Sequence, residues 1–149
     1  MKLFLLSLFF LVSCLEDNRS PEAALKDFVE IRIGNVVTRN SLIEKVTGKM
    51  RQSLENVSDE DFQQFADMRN VARDSFKILS KSCQEGTCFI TYSISYKTKQ
   101  DDKSVFSSEV KKIAELSLVS GKWLIADVTN IKTYHESLEP INALQGESR

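Results

Sequence analysis

The sequence has 149 residues, with 20 basic and 21 acidic side chains and a formal net charge of −1. This length is enough for one domain with a hydrophobic core and is short for two. The balanced charge does not favour nucleic acid as a partner, and both signs are spread along the chain, as on a solvated globular surface.

The first segment has the pattern of a secretory signal. Lys2 precedes an apolar run over residues 3–12, and small Ser13 comes directly before Cys14. The run is too short for a membrane-spanning helix, which needs about twenty apolar residues. Its end, Leu11-Val12-Ser13-Cys14, resembles the lipobox of bacterial lipoproteins. The resemblance implies cleavage after Ser13, a diacylglyceryl group on the Cys14 thiol and usually an acylated amino terminus. The alternative is an ordinary signal peptide in which Cys14 is incidental.

Residues 15–19 form a polar tether that spans at most about 18 Å when fully extended. The domain is therefore expected close to its bilayer, with the acyl chains on Cys14 as the membrane attachment. In enteric bacteria an Asp directly after the lipidated Cys retains a lipoprotein in the inner membrane. Here that position is Leu15, so we predict a lipid-anchored protein facing the periplasm, in the outer membrane rather than the inner one.

Helices are predicted first along the remaining chain. Ser20-Pro21-Glu22 has an N-cap residue, a proline for the first helical position and an acid in the first turn, and Gly34-Asn35 is a plausible stop. Apolar side chains at helical spacing over 38–55, interrupted at Thr47-Gly48, predict one or two short helices. Ser58 can cap a further helix that carries aromatic side chains, which we interpret as core: Phe62 and Phe65.

From Ser75 the apolar period changes from near 3.6 to two, which predicts strands. Four strands are expected, over 76–83, 88–96, 105–119 and 122–134. A two-residue loop at Ser120-Gly121 would place Leu118 opposite Trp123 and Leu116 opposite Ile125. The predicted fold class is therefore α+β, with N-terminal helices packed on a four-stranded antiparallel meander sheet.

This order of elements resembles the nuclear-transport-factor-two-like (cystatin-like) lipoproteins of bacteria. The resemblance rests on the opening Ser20–Ala24 helix with Phe28, on Gly34-Asn35 and on the ending Gly121-Lys122-Trp123-Leu124-Ile125-Ala126-Asp127. It implies a curved, cone-like sheet that often leaves a pocket under the helices. Such domains include isomerases, dehydratases and carrier-like binders, so the fold does not settle the function. The predicted layout is a signal peptide (1–13), lipidated Cys and tether (14–19), a single domain (20–139) and a flexible tail (140–149).

Lipidation of Cys14 would leave Cys83 and Cys88 as a pair, and an oxidising envelope favours a disulfide between them. Free thiols are the alternative; a zinc site is disfavoured because His135 is the only histidine. A two-residue loop at Glu85-Gly86 sets the cysteines opposite each other but pairs Lys81 with Ile90.

A bulge at Gly86 would instead align Ile78 with Tyr92 and Phe76 with Ile94, while turning the cysteines to opposite faces. The two cues conflict. We favour the disulfide, with a bulge further along the hairpin as a way to accommodate it.

Motifs for catalysis are missing from the sequence: we find no phosphate-binding glycine loop, paired metal motif or nucleophile elbow, and we predict neither a cofactor nor a metal. Asp127 would share a face with Trp123 and lie opposite Ala114, where a buried acid with a raised pKa could act as a base. The simpler interpretation is a structural Asp127 near the sheet rim. The candidate pocket residues are Tyr92, Tyr96, Trp123 and Asp127.

Three functions remain open. We favour a non-catalytic, lipid-anchored module that binds an envelope protein or a small apolar ligand. The second is a structural component of the envelope, and the third is a small-pocket enzyme of the isomerase or dehydratase type.

Overall fold

The computed structural model describes residues 20–34, 37–67, 71–100 and 103–137. The predicted lipobox with Cys14, the tether and the predicted tail lie outside these ranges. Four helices come first, α1 (Pro21–Ile33), α2 (Arg39–Ile43), α3 (Gly48–Asn56) and α4 (Asp59–Ala66), and four strands follow, β1 (Val71–Gln84), β2 (Thr87–Gln100), β3 (Lys103–Val119) and β4 (Lys122–Ser137).

Local capping fixes where the helices begin. The Ser20 hydroxyl accepts a hydrogen bond from the Ala23 amide at 3.1 Å, and the Ser58 hydroxyl accepts one from the Asp61 amide at 3.1 Å. Both predicted starts are thereby confirmed. The interruption at Thr47-Gly48 separates two short helices, and α2 has its own capping box at Thr38, which the sequence analysis did not use.

The sheet is an antiparallel meander in the order β1-β2-β3-β4. Two-residue turns at Glu85-Gly86 and Ser120-Gly121 join β1 to β2 and β3 to β4. All four turn residues have positive φ, which is the conformation of the type I′ turns that match the twist of a hairpin.

The register at both hairpins agrees with the local cues. Leu118 lies opposite Trp123 and Leu116 opposite Ile125, as predicted. In the first hairpin Cys83 lies opposite Cys88, and a register shift between Ile78 and Ser80 then aligns Ile78 with Tyr92. The shift reconciles the two conflicting cues, because the cysteines and the apolar pairs occupy different parts of the same hairpin.

One face of the sheet carries the core. Alternate residues of β2 from Cys88 to Ile94 are buried with Ala114, Leu116 and Ile125 of the neighbouring strands. The helices and the α2–α3 connection cover them with a second set of buried apolar side chains, which are Leu25, Phe28, Val29, Leu42, Val46, Leu54 and Phe62. Removal of this apolar surface from water is the main term that holds the helices to the sheet.

The connection between α2 and α3 also touches the outer edge of β4. The Thr47 amide donates to the Ile125 carbonyl at 2.8 Å, and the Ile125 amide donates to the Lys45 carbonyl at 3.0 Å. Val46 and Ile125 thus form an isolated parallel bridge. The helical layer is attached to the sheet by backbone as well as by side chains.

The predicted fold class needs correction. We expected helices packed over a curved, cone-like (cystatin-like) sheet, but the helical layer covers the sheet only in part. Residues 77–84 of β1 and 129–136 of β4 are exposed along their whole length. The main contacts of the helices with the sheet are those of α1 and α3 with β4, and α1 reaches the exposed part of β1 through the ion pair of Glu22 with Lys81. Within the described ranges, no helix has the length and apolarity needed to cross a membrane.

Candidate binding cleft

A cleft of about 460 Å³ opens between the helices and the inner face of the sheet. The wall is mainly apolar, and its apolar residues are Phe28, Val29, Ile33, Met50, Phe65 and Val128. Its polar residues are Arg32, Tyr92, Lys112, Thr129 and Asn130. None of the described lining residues is acidic.

Helix α1 supplies one wall of the cleft because of the spacing of its side chains. Phe28, Val29 and Arg32 follow at intervals of one and three residues and lie on the helix face that meets the sheet. Arg32 is the interruption in an otherwise apolar face. The fold places this charged residue at the cleft instead of in the solvent.

The Arg32 guanidinium stacks on an aromatic ring. Its central carbon lies 3.6 Å from the centre of the Phe65 ring, a cation–π contact. Burial lowers the pKa of Arg32, although an arginine remains charged at physiological pH. The Nη1 nitrogen is buried and has no hydrogen-bond partner among the described residues. An unsatisfied buried donor of this kind is uncommon in folded proteins.

Lys112 of β3 is the second cation of the cleft. It lies opposite Tyr92 on one side and opposite Asn130 on the other. Burial lowers the pKa of Lys112, and the nearby positive charge of Arg32 lowers it further. The positive charges of Arg32 and Lys112 therefore repel each other in a partly desolvated site.

Neither Arg32 nor Lys112 forms an ion pair within the part of the chain that the structure describes. Other cations of the molecule do, and their pairs are Lys45 with Asp27, Arg39 with Asp59, Arg51 with Glu55, Lys81 with Glu22 and Lys97 with Asp74. Several exposed lysines also have no ion pair within the described ranges, but Arg32 and Lys112 differ from them because they are partly buried.

Two tyrosines lie beside these cations. Tyr92 is 2% exposed, and burial raises its pKa, with a further increase from neighbouring Tyr96. Burial also raises the pKa of Tyr96, and the positive charge of Arg32 opposes this rise. Both phenols are neutral at physiological pH, so they can act as hydrogen-bond donors.

The four predicted pocket residues do not come together. Tyr92 lines the cleft. Tyr96 lies close enough to Arg32, another lining residue, for the guanidinium charge to affect its pKa. Trp123 lines a separate depression of about 360 Å³, where Lys45 and Asp27 form their ion pair.

Asp127 lies opposite Glu115 and not opposite Ala114, because a register shift separates the Glu115 pair from the Leu116 pair. The prediction that Asp127 shares the inner face with Trp123 is therefore wrong. Its Oδ1 accepts a hydrogen bond from the Val128 amide at 2.8 Å. The bond to a backbone amide agrees with the structural interpretation of this acid.

Three residues of the cleft were missed by sequence reasoning. Arg32 was visible as a break in an apolar helix face, and Lys112 continues the alternation of Ala114 and Leu116 on the inner face of β3. Phe65 was interpreted as core, but it is 40% exposed and forms the surface on which Arg32 stacks. For Arg32 and Lys112 the signal is a charged residue at a position whose periodicity implies burial. Phe65 gave no such signal, because a phenylalanine suits the core position that was predicted for it.

The predicted cysteine pair and His135 lie outside the lining of the cleft. Cys83 and Cys88 form the predicted disulfide, with their Cα atoms 4.1 Å apart. The exposed His135 has its Nδ1 atom 2.7 Å from the Ser108 hydroxyl. No group of three or more metal-binding side chains occurs among the described residues.

No known protein family and no curated protein matches the sequence. Among solved structures, the chain is similar to a SEC-C motif containing protein from Rhodopseudomonas palustris, determined in solution. The similarity covers 77% of this chain and 81% of that one, with a TM-score of 0.56 and 9% sequence identity. At this identity it concerns the fold alone. The fold is therefore described as a four-stranded antiparallel sheet with short helices, similar to that protein, and the predicted cystatin-like class is not retained.

Proposed function

We propose that this chain is a bacterial cell-envelope lipoprotein whose folded part is a non-catalytic binding module for a small ligand with an apolar portion. The observation that carries the binding role is the open cleft between the helices and the sheet. Its volume lies within the range of about 300–1,000 Å³ that is typical of small-molecule sites. A mostly apolar wall with a few polar groups is also typical of such sites.

The anchoring role is supported by the lipobox-like Leu11-Val12-Ser13-Cys14 sequence. Each buried methylene of an acyl chain contributes about 0.8 kcal/mol, so several chains hold a protein stably where one does not. Leu15 after the lipidated cysteine favours the outer membrane, with the domain in the periplasm.

A non-catalytic role is favoured by the groups at the cleft. A general base needs a titratable group in the cavity and a partner that polarises the substrate. The described lining residues contain no carboxylate, cysteine or histidine, and Asp127 is turned to the other face. Arg32 and Lys112 are suited to charge recognition.

The anchor is tested by replacing its cysteine. Cys14→Ala should abolish incorporation of a labelled fatty acid and leave an uncleaved or soluble product, because the thiol that accepts the diacylglyceryl group is gone. Cys83→Ala is the control, since it removes a cysteine outside the lipobox and should leave labelling intact. A wild-type protein found in the soluble periplasm with an unmodified Cys14 would contradict the proposal.

Ligand binding is tested by blocking the cleft. Asn130→Trp adds a large side chain at an exposed lining position of β4, opposite Lys112 on the inner face, and Lys132→Trp adds the same side chain opposite exposed Lys111, on the outer face and outside the cleft. We expect molecules extracted from protein purified from its native membrane to be lost with Asn130→Trp and kept with Lys132→Trp. Recovery of the same extracted molecules from the wild-type protein and from both variants would contradict the assignment of the cleft as the binding site.

A further inference from the structure

We propose that the cleft recognises an anionic amphiphile, whose carboxylate or phosphate head group lies between Arg32 and Lys112 while its acyl chain lies along the apolar wall. This inference rests on the proposed function and deepens it by naming the ligand class. The observation behind it is the meeting of unpaired positive charge and apolar surface in one cleft.

The two cations of the cleft, Arg32 and Lys112, have no ion pair within the described ranges. The positive charge of Arg32 lowers the pKa of Lys112, and no described residue that lines the cleft is acidic. Desolvation and like-charge repulsion both disfavour this arrangement when the cleft is empty. An anion bound between the two groups offsets both terms. The site is therefore complementary to a negative charge that the protein itself does not supply.

The geometry of Arg32 defines what kind of anion fits. The face of the guanidinium is covered by the Phe65 ring, so its N–H groups remain in the plane at the edge. Buried Nη1 has no partner. A planar fork of this kind binds the two oxygens of a carboxylate or a phosphate, which a single point charge does less well.

The apolar wall of the cleft favours a ligand with an apolar portion over a free inorganic anion. Phe28, Val29 and Met50 line the cleft beside the cations, and Val128 lines it from β4. Met50 is flexible and can adapt to a chain of variable shape. A small inorganic anion would leave this surface in water, and a neutral hydrocarbon would leave the two cations unpaired. A molecule with an anionic head group and an apolar chain would pair with the two cations and also cover the apolar wall.

The proposal is tested by native mass spectrometry on the full chain, purified in a non-ionic detergent from whichever fraction contains it. Three ligands of equal chain length are titrated: dodecanoate, dodecyl phosphate and dodecanol. We expect the two anions to bind at least tenfold more tightly than the alcohol. The ratio between the anions identifies the head group, either the carboxylate of a fatty acid or the phosphate of a lipid.

A matched pair of variants assigns the effect to the cleft. Lys112→Met should weaken binding of the preferred anion at least tenfold and leave the alcohol unchanged. Lys111→Met makes the same change of charge on the neighbouring, exposed residue of β3 and should have no effect on either. Arg32→Met should act as Lys112→Met does.

Two results would overturn the inference in different ways. If anions and alcohol bind equally and Lys112→Met matches Lys111→Met, the cleft binds an apolar ligand without recognising charge, and the proposed function stands. If none of the three ligands binds wild-type protein, the inference fails, and the extraction experiment with Asn130→Trp then decides whether the cleft binds anything at all.

Discussion

Lys112 is expected to destabilise the unliganded protein, because its charge is partly buried beside another cation. Lys112→Met keeps a side chain of similar length and removes the charge. We expect the free energy of unfolding to rise by about 0.5–1 kcal/mol, as is common when a residue retained for binding is replaced. Urea denaturation of this variant and of Lys111→Met measures the effect. A loss of stability with Lys112→Met would contradict the assigned environment.

The same residue predicts a pH dependence. Burial and Arg32 lower the pKa of Lys112 from its ordinary value of 10.5, so the folded protein releases this proton at a lower pH than the unfolded chain does. Between the two pKa values the unfolded state binds more protons, and wild-type stability rises with pH. The advantage of Lys112→Met should therefore be largest below this window and shrink as the pH rises through it. An advantage that grows with pH would refute the prediction.

Single residues also show where sequence reasoning failed. Asp127 was assigned to the inner face by counting alternate positions from Trp123, but one extra residue in β4 reverses the side on which the residues from Asp127 to Asn130 lie, up to a second register shift. No glycine or proline near Ala126 indicated this irregularity. The position of Asp127 is set by pairing with β3, which a count along one strand does not include.

At the scale of elements, the disulfide links an exposed residue to the core. Cys83 is exposed and Cys88 is fully buried. Cys83→Ser should lower the free energy of unfolding by about 2 kcal/mol, since the bridge closes a short loop. Cys88→Ser should cost about 1–3 kcal/mol more, because it also places a hydroxyl among apolar side chains.

Denaturation of the two variants under identical conditions measures this difference. Equal losses would show that burial of Cys88 does not matter. Two thiols that alkylate freely in wild-type protein isolated without reductant would show that the bridge does not form.

The elements themselves were largely predictable, and the reason is that their signals are local. Ser20 and Ser58 cap the helices that follow them, and each cap needs only residues within three positions. The Glu85-Gly86 and Ser120-Gly121 turns fix the hairpin registers in the same way. Tyr92 was correctly predicted to line a pocket, but the combination of Arg32, Phe65 and Lys112 was not predicted, because these residues come from three elements that only the tertiary fold brings together.

At the scale of the whole molecule, the extent of the helical layer was the main error. Apolar periodicity indicates which face of an element is buried, but it does not indicate how far the covering layer reaches. Exposed Phe89, Ile131 and Tyr134 have the residue types expected of strands, yet about half of each side chain is open to solvent. The similarity to the SEC-C motif containing protein covers 77% of the chain and concerns the fold alone, since the sequence identity is 9%.

The backbone hydrogen bonds at the Val46–Ile125 bridge can report when the helical layer separates from the sheet. The Thr47 and Ile125 amides are held only by the bonds that join the α2–α3 connection to the edge of β4. Their hydrogens can exchange with deuterium when this connection leaves the strand, even if the sheet stays intact. Exchange at Thr47 and Ile125, compared with that of central β2 amides, would therefore measure the free energy of separating the helices from the sheet. A ligand in the cleft touches both layers, so its binding should slow exchange at these two amides before any other.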